Sequence, residues 1–324
     1  MKKSKLKIVV LDGYCYNPGD LSWEELKPLG DCTFYDRTSR DKVVERCSEA
    51  DVILTNKVSI KAAEIDQLPH LKYIGVMATG YNIIDIAAAK SRNIVVTNIP
   101  AYSTQSVAQL VFAHLLTITH RVEYYTNENK KGRWTNSTDF SYRLTSLLEL
   151  SGKKMGVIGL GNIGQEVARI ALGFGMKVYA YTSKDACNLP VDISISTLNE
   201  IFSECDVISL HCPLNKQTRC LVNKERLRQM KKSSILINTA RGPLIDEEAL
   251  ADALNNEEIF AAGVDVLSSE PPKANNPLLS AKNCFVTPHI GWATQEARIR
   301  LSSILVNNLS SYIEGKTINN VAEK

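Results

Sequence analysis

Short apolar runs alternate along this chain with longer stretches in which apolar side chains recur at helical spacing. Lys7 to Leu11, Cys32 to Tyr35, Asp51 to Thr55, Tyr73 to Val76 and Ile94 to Asn98 are brief, rich in β-branched and aromatic residues, and bounded by polar or turn-forming positions. Runs of that length and composition predict strands buried on both faces. Between the first two, Trp23 to Leu29 reads as a helix. Strand and helix in alternation predict parallel sheets with crossover helices, the α/β class. A second series follows: Met155 to Ile158, Lys177 to Tyr181, Asp206 to Leu210, Ile235 to Asn238, Ala262 to Val266 and Cys284 to Thr287. A long helix separates the two series, capped by Ser103 or Thr104, with Val107, Leu110, Val111, Leu115 and Ile118 on its apolar face. Beyond Gly291 another helix, Thr294 to Ile313, leads back towards the first series.

The strand at Met155 runs directly into Gly159-Leu160-Gly161-Asn162-Ile163-Gly164 and then into the helix-like Gln165-Glu166-Val167-Ala168-Arg169. In a strand-turn-helix setting each glycine has a task. The first permits the tight turn, the second lets backbone approach a pyrophosphate, and the third lets helix and strand pack closely, with the helix N-terminus facing the phosphates. The expected ligand is a nicotinamide or flavin dinucleotide held at Gly159, Gly161, Asn162, Ile163 and Gly164; the plainer alternative is a close-packed turn that binds nothing. In a simple dinucleotide-binding domain the motif follows the first strand, whereas here a whole strand series precedes it. Residues 103–293 are therefore expected to form a cofactor domain inserted into a second α/β domain made of 1–102 and 294–324.

Composition narrows the partners. With 324 residues, 44% hydrophobic and 23% charged, the chain is long enough and apolar enough for two globular cores. Its net charge of +3 is spread without a Lys/Arg stripe, so nucleic acid is not an expected partner. Met1 to Lys5 is basic, but the apolar run after it, Ile8 to Leu11, is too short for an export signal. The most apolar helix is short and carries Gln109 and His114, so no membrane span is expected. The cysteines, at 15, 32, 47, 187, 205, 212, 220 and 284, form no CxxC pair, which fits reduced thiols in the cytoplasm. His211-Cys212 has no second pair at ligand spacing, so no metal site is expected.

Three polar residues fall just past predicted strand ends of the second series, where open α/β sheets bind their ligands. They are Arg241, Glu270 and His289. Arg241 leaves a turn stiffened by Gly242-Pro243, and its fork of donors suits a carboxylate or keto acid. Taken singly, each has a plainer reading: a solvated arginine, an exposed acid before Pro271-Pro272, a packed histidine. Their case rests on occurring together.

Ala78-Thr79-Gly80-Tyr81-Asn82-Ile83-Ile84-Asp85, Val107-Ala108-Gln109, the glycine motif, His211-Cys212-Pro213-Leu214, Asn238-Thr239-Ala240-Arg241-Gly242, Gly263-Val264-Asp265-Val266, Glu270-Pro271 and Pro288-His289-Ile290-Gly291 follow one another over nearly the whole chain. Together they resemble the D-2-hydroxyacid dehydrogenases; Tyr102 to Gln109 and His289 to Thr294 are most similar to the glycerate dehydrogenase or hydroxypyruvate reductase branch. The resemblance implies two Rossmann-like domains, a flavodoxin-like substrate domain and the inserted dinucleotide-binding one, in a homodimer. It implies hydride transfer between NAD(P)H and a small 2-keto acid, hydroxypyruvate or glyoxylate, bound between the domains. Arg241 would grip carboxylate and carbonyl, the backbone N–H groups of Ala78, Thr79 and Gly80 would hold the other carboxylate oxygen, and His289 would exchange a proton with the carbonyl oxygen. Glu270 would orient the imidazole and favour its protonated form. Asp265 would support the histidine or contact the nicotinamide amide. His211, Cys212, Pro213, Thr218, Thr239 and Ala240 would meet the cofactor, and Trp292 would wall the substrate pocket. Trp134 would lie in an arm crossing between subunits. Asn56-Lys57, at a first-series strand end, could meet the distal end of a polar substrate.

Two positions depart from the family pattern. NAD-specific sites place an acid about 20 residues past the glycines, and this chain has Tyr181-Thr182-Ser183-Lys184 there. Thr182 cannot repel a 2′-phosphate, and Ser183 with Lys184 could bind one, which favours NADP over NAD and leaves dual use open. The plainer alternatives are that Asp185 or a neighbour takes the acid's role after a one-turn shift of the loop, which would restore NAD, or that Lys184 is simply solvated. Gln109 stands where many relatives carry Glu. The alternative readings are a dehydrogenase of another D-2-hydroxy acid such as D-lactate, and a non-catalytic dinucleotide-sensing protein of the corepressor type. Formate chemistry is disfavoured because Glu270, not Gln, accompanies His289.

Overall fold

Runs of three or four residues, most of them rich in Val and Ile and too short and too β-branched for stable helices, pair into the first of two parallel sheets. In the computed structural model, which describes residues 5–185 and 192–322, the chain divides into two units, Met1–Ser103 with Ala293–Lys324 and Thr104–Trp292. Cys187 and most of the opening Met1 to Lys5 lie outside the described residues.

The first unit's strands are β1 (Lys7–Val10), β2 (Asp31–Phe34), β3 (Val52–Thr55), β4 (Tyr73–Val76) and β5 (Val95–Thr97), in the order β2-β1-β3-β4-β5. Ile8 pairs with Cys32 on one side and Val52 on the other, which fixes the register of β1 between β2 and β3. Every residue of β3 and β4 is buried. Short helices α1 (Gly13–Tyr16), α2 (Val43–Cys47), α3 (Ala62–Ile65) and α4 (Ile86–Ser91) connect the strands. Trp23 to Leu29, expected as a helix, is a turn closed by a 3-10 segment, Lys27–Leu29. Pro28 has no N–H to give an α-helix, and a side chain at Gly30 would stand 2.4 Å from the Leu6 carbonyl oxygen, so the chain must turn into β2 there.

Helix α11 (Gln295–Ile313), capped by the Thr294 side chain, belongs to the same unit. Arg298, 8% exposed, meets both carboxylate oxygens of Asp20 at 2.7 and 2.6 Å, and Asn308 donates to the carbonyl of Asn98 at 3.0 Å. A paired, two-pronged guanidinium is the form in which an arginine can be buried at acceptable cost.

In the second unit β6 (Lys154–Ile158), β7 (Lys177–Tyr181), β8 (Ile193–Ile195), β9 (Val207–Leu210), β10 (Ile235–Asn238), β11 (Ala261–Val264) and β12 (Cys284–Val286) lie in the order β12-β11-β10-β9-β6-β7-β8. Strand order reverses between β6 and β9, so the carboxyl ends there open the crevice in which such sheets take ligands. Helices α5 (Thr104–His120), α6 (Val122–Lys130), α7 (Asn162–Gly173), α8 (Leu198–Glu204), α9 (Lys224–Gln229) and α10 (Glu247–Asn255) complete it. One core joins Ala108, Val111, Leu115 and Ile118 of α5 to Val167 and Ala171 of α7; the other joins Ile201 and Phe202 of α8 to Leu227, Leu250 and Leu254. Each fully buried Val, Leu, Ile or Phe side chain among them stabilises by about 1.5–3 kcal/mol, and the two cores hold the strand ends that carry the polar residues.

Candidate active site

The glycine motif separates into three physical roles. Gly159 takes the left-handed φ of 97°, and a Cβ there would lie 2.6 Å from the backbone nitrogen of Cys212. At Gly164 a Cβ would lie 2.1 Å from the Gly159 carbonyl oxygen, so α7 rests directly on the turn. Gly161, the N-cap of α7, would meet nothing within 4 Å. Two glycines thus serve packing, and the second leaves open space above a helix start whose first turn carries no acid. Asn162 and Ile163 occupy that first turn. At the end of β10 the Thr239 hydroxyl is buried and has no hydrogen-bond partner among the described residues. A bare cradle at a helix N-terminus and an orphaned hydroxyl at the neighbouring strand ends fit a dinucleotide.

The rim of this crevice is fixed by backbone bonds. His211 donates its N–H to the Ile158 carbonyl at 2.7 Å, and its Nε2 lies 2.8 Å from the Ser209 hydroxyl. Burial of that ring lowers its pKa to about 3, so it stays neutral. Cys212 and Pro213 follow, and Thr218 closes the loop by donating to the Pro213 carbonyl at 2.7 Å. Beyond β7, Thr182 Oγ1 accepts from the N–H of Lys184 at 3.2 Å, while Ser183, Lys184 and Asp185 are exposed.

Buried Asn238 shapes the turn after β10: its amide donates to the Arg241 carbonyl at 2.9 Å and its oxygen accepts from Ala240 at 3.0 Å. A Cβ at Gly242 would stand 2.0 Å from the Leu267 carbonyl carbon, so this turn is pressed against the loop that leads to Glu270. Arg241 itself is exposed, with Nη1 on the Ala240 carbonyl at 2.7 Å and no carboxylate at ion-pair distance among the described residues. Glu270 accepts the Leu267 N–H on Oε1 at 3.1 Å and lies 2.6 Å from His289 Nδ1 through Oε2. An ionised carboxylate only accepts, so Nδ1 is the donor and Nε2 faces away from it.

His289 has a φ of 54°, a left-handed value that only a few per cent of non-glycine residues adopt. Asp265, after β11, imposes it. Its carbonyl accepts the His289 N–H at 2.8 Å, and its carboxylate accepts from the Thr287 hydroxyl at 2.7 Å and from the N–H groups of Ile290 and Gly291 at 2.9 Å each. A profile for the NAD-binding domain of D-isomer-specific 2-hydroxyacid dehydrogenases matches residues 112–291, the stretch that holds all of this machinery.

The chain belongs to the D-isomer-specific 2-hydroxyacid dehydrogenase family. It is 47% identical over 321 residues to a hydroxypyruvate reductase of Blautia hydrogenotrophica, covering 97% of this chain and 99% of the relative. Among solved structures it is similar to an acyclic imino acid reductase in complex with NADPH and D-Arg, with a TM-score of 0.85, 32% identity and coverage of 98% and 100%. It is also similar to D-lactate dehydrogenase of Aquifex aeolicus complexed with NAD and lactic acid, with a TM-score of 0.79, 30% identity and coverage of 95% and 96%. As a D-2-hydroxyacid dehydrogenase the protein is an oxidoreductase acting on CH–OH donors with a nicotinamide dinucleotide.

In this dehydrogenase Arg241, Glu270, His289, Asp265, Trp292 and the residues assigned to the cofactor all lie in the second unit, while Ala78, Thr79, Gly80, Asn56 and Lys57 lie in the first. The Ala78–Gly80 loop follows β4; Asn98 donates to the Thr79 carbonyl and Ile99 to the Ala78 carbonyl, at 2.8 and 3.0 Å. The N–H groups of Ala78, Thr79 and Gly80 have no acceptor among the described residues. No group of three or more His, Cys, Asp or Glu could hold a metal ion, and no helix is long and apolar enough to cross a membrane, among the described residues. Sequence reasoning passed over Asn238, Ser106, Thr287 and His114. Ser106 donates to the Gly291 carbonyl at 2.5 Å, and His114 Nε2 lies 3.0 Å from the Thr287 hydroxyl. The available signal was polarity: Ser106, His114 and Thr119 interrupt the apolar buried face of α5.

Proposed function

We propose that this dehydrogenase reduces hydroxypyruvate or glyoxylate to the corresponding 2-hydroxy acid with NADPH preferred over NADH, working as a cytoplasmic homodimer. The observation that carries the chemistry is the 2.6 Å bond from His289 Nδ1 to Glu270, in a turn held by Asp265. Because Glu270 takes the Nδ1 proton as acceptor, Nε2–H is the proton that His289 delivers to the substrate's carbonyl oxygen, and in reverse Nε2 receives it. The nicotinamide dinucleotide, when bound, supplies the hydride. Gly161, Asn162, Ile163 and the Thr239 hydroxyl would hold it, and Ala240 and the His211 to Pro213 segment would flank it. Arg241 clamps the carboxylate and carbonyl with a planar fork from a stiff turn, and in the first unit the unengaged N–H groups of Ala78 to Gly80 are of the kind that binds a carboxylate oxygen. Trp292 limits the substrate's size.

NADPH is favoured by what ends β7: Thr182 and Ser183 offer hydroxyls, and the exposed Lys184 has no ion pair among the described residues. Dimerisation is supported by Trp134, 55% exposed in the segment similar to the family's arm, and by Val122 and Phe140 on either side of that segment, 70% and 91% exposed. Free thiols, seven among the described residues, fit a reducing compartment.

The decisive assay follows nicotinamide absorbance with NADPH and NADH in parallel against hydroxypyruvate, glyoxylate and pyruvate. Fast NADPH oxidation with hydroxypyruvate is expected, and Lys184→Ala should lower the NADPH-to-NADH ratio of kcat/KM about tenfold, the worth of one good charge contact. Pyruvate as the best substrate would move the enzyme to the D-lactate reading, and a wild-type preference for NADH would remove the phosphate role of Lys184. Light scattering that shows a monomer would end the dimer proposal.

A further inference from the structure

We infer that His114 is a positioning residue for the catalytic turn: through the Thr287 hydroxyl it fixes Asp265, and Asp265 fixes the backbone that presents His289. This rests on the proposed reading that His289 delivers the proton.

Counting protons assigns the direction of the relay. Asp265 is 2% exposed and receives two backbone N–H groups, one on each carboxylate oxygen, so both oxygens act as acceptors. A carboxylate cannot donate, so the 2.7 Å contact with Thr287 uses the single hydroxyl proton of that threonine. The 3.0 Å contact from Thr287 Oγ1 to His114 Nε2 then requires the histidine to be the donor, in its Nε2–H tautomer. Burial lowers the pKa of His114, with Asp265 pulling the other way, and the neutral ring keeps that proton on Nε2 through its bond.

Packing removes the ring's freedom. His114 is 4% exposed on α5, and a Cβ at Gly263 of β11 would stand 2.8 Å from its Cβ and 3.0 Å from its Nδ1. The imidazole therefore packs closely against bare backbone with its Nε2 at one hydroxyl. Without that donor the Thr287 hydroxyl is free to rotate away from Asp265, and the Asp265 carboxylate loses one of the three bonds that set it against the turn. A left-handed histidine persists only where its surroundings over-determine it. Small misplacement of a proton donor is expensive, since about 1 Å can cost on the order of a hundredfold in rate.

The test measures single-turnover reduction of hydroxypyruvate, together with NADPH affinity and Tm, for His114→Leu, His114→Gln, Thr287→Val, Thr287→Ser and the Leu/Val double variant. His114→Leu and Thr287→Val are each expected to slow turnover about tenfold, with NADPH affinity within about twofold of wild type. The double variant should be no slower than either single one, because both cut the same relay. Gln, whose amide nitrogen can reach the same hydroxyl, and Ser should recover turnover to within about threefold. Wild-type rates in His114→Leu, equal slowing in His114→Leu and a folded His114→Gln, or multiplying losses in the double variant would each overturn the relay. Should His114→Leu fail to fold, Thr287→Val decides alone, and wild-type turnover there is fatal to the inference. His289→Asn is the control: if it turns over, the proton role of His289 falls, whereas an inactive His289→Asn beside an unaffected relay series removes only this inference.

Discussion

Asp12, after β1 of the first unit, and Asp265, after β11 of the second, are nearly out of water at 6% and 2% exposure, and both spend their carboxylates on a loop from another strand. Asp12 accepts the N–H groups of Asn56, Lys57 and Val58 at 2.8, 2.6 and 3.3 Å, just past β3. Asp265 accepts from Thr287, Ile290 and Gly291, just past β12. The loop under Asp12 displays Lys57, while the loop under Asp265 displays a left-handed histidine bonded to a glutamate. A buried carboxylate that ties one strand end to another is thus a rigidity device indifferent to chemistry. Reactivity comes from what the tied loop presents and from how firmly the turn is over-determined.

Removing the displayed group should separate the two loops most. His289→Ala is expected to lower kcat about a thousandfold or more, with NADPH binding intact by fluorescence titration; near-normal turnover would sink the mechanism. Next come the ties themselves. Asp265→Asn replaces one acceptor by a donor facing a backbone N–H, and kcat should fall about a hundredfold through the displaced turn. Asp12→Asn should instead appear as a loss of about 1–3 kcal/mol in urea unfolding, with kcat within about threefold of wild type. Equal effects of the two on kcat would erase the distinction.

Within the second unit, Gly161→Ala and Gly164→Ala should divide along the same line between presentation and construction. A Cβ at Gly161 meets no protein atom, so that variant should fold normally and bind NADPH about tenfold more weakly. At Gly164 the Cβ would be 2.1 Å from a carbonyl oxygen, so calorimetry should show a Tm well below wild type before any binding is considered.

The smallest expected effect is acid sensitivity. His211, with its pKa lowered to about 3 by burial, binds a proton more readily when unfolded, so its contribution to stability is complete above about pH 6.5 and is lost as pH falls towards 3. The slope is at most about 1.4 kcal/mol per pH unit for one group. In urea unfolding followed from neutral to mildly acidic pH, His211→Gln should flatten this decline in the apoprotein; an unchanged slope would assign acid sensitivity elsewhere. No histidine of the first unit is buried among the described residues.

Legibility in the sequence followed local constraint. Strands such as Ile235–Asn238 and Lys177–Tyr181 could be read residue for residue because they are uninterrupted apolar or alternating runs between turn residues. β8 could not, because Ile193-Ser194-Ile195 turns only its first residue inward at the sheet's edge. At Trp23 to Leu29 helical spacing misled because Pro28 has no N–H to continue an α-helix. The glycine motif was legible because its three glycines fall within six neighbouring positions between a strand and a helix. Arg241, Glu270 and His289 stood out by their place after strands and by family resemblance, since nothing in the 19-residue spacing of Glu270 and His289 says that they touch. The partners of Asp265 were illegible for the same reason: His114 is 173 positions from Thr287, and only packing of α5 on β11 brings them together.

The backbone at His289 also bears on how this enzyme can be improved. Glycine or asparagine would occupy its left-handed conformation with less strain. A mutant library selected for heat resistance alone would be drawn to that position and would return sturdier proteins that no longer turn over. Any directed-evolution campaign on this scaffold must therefore select for activity in every round, because one of its easiest thermal gains sits on the residue it can least spare.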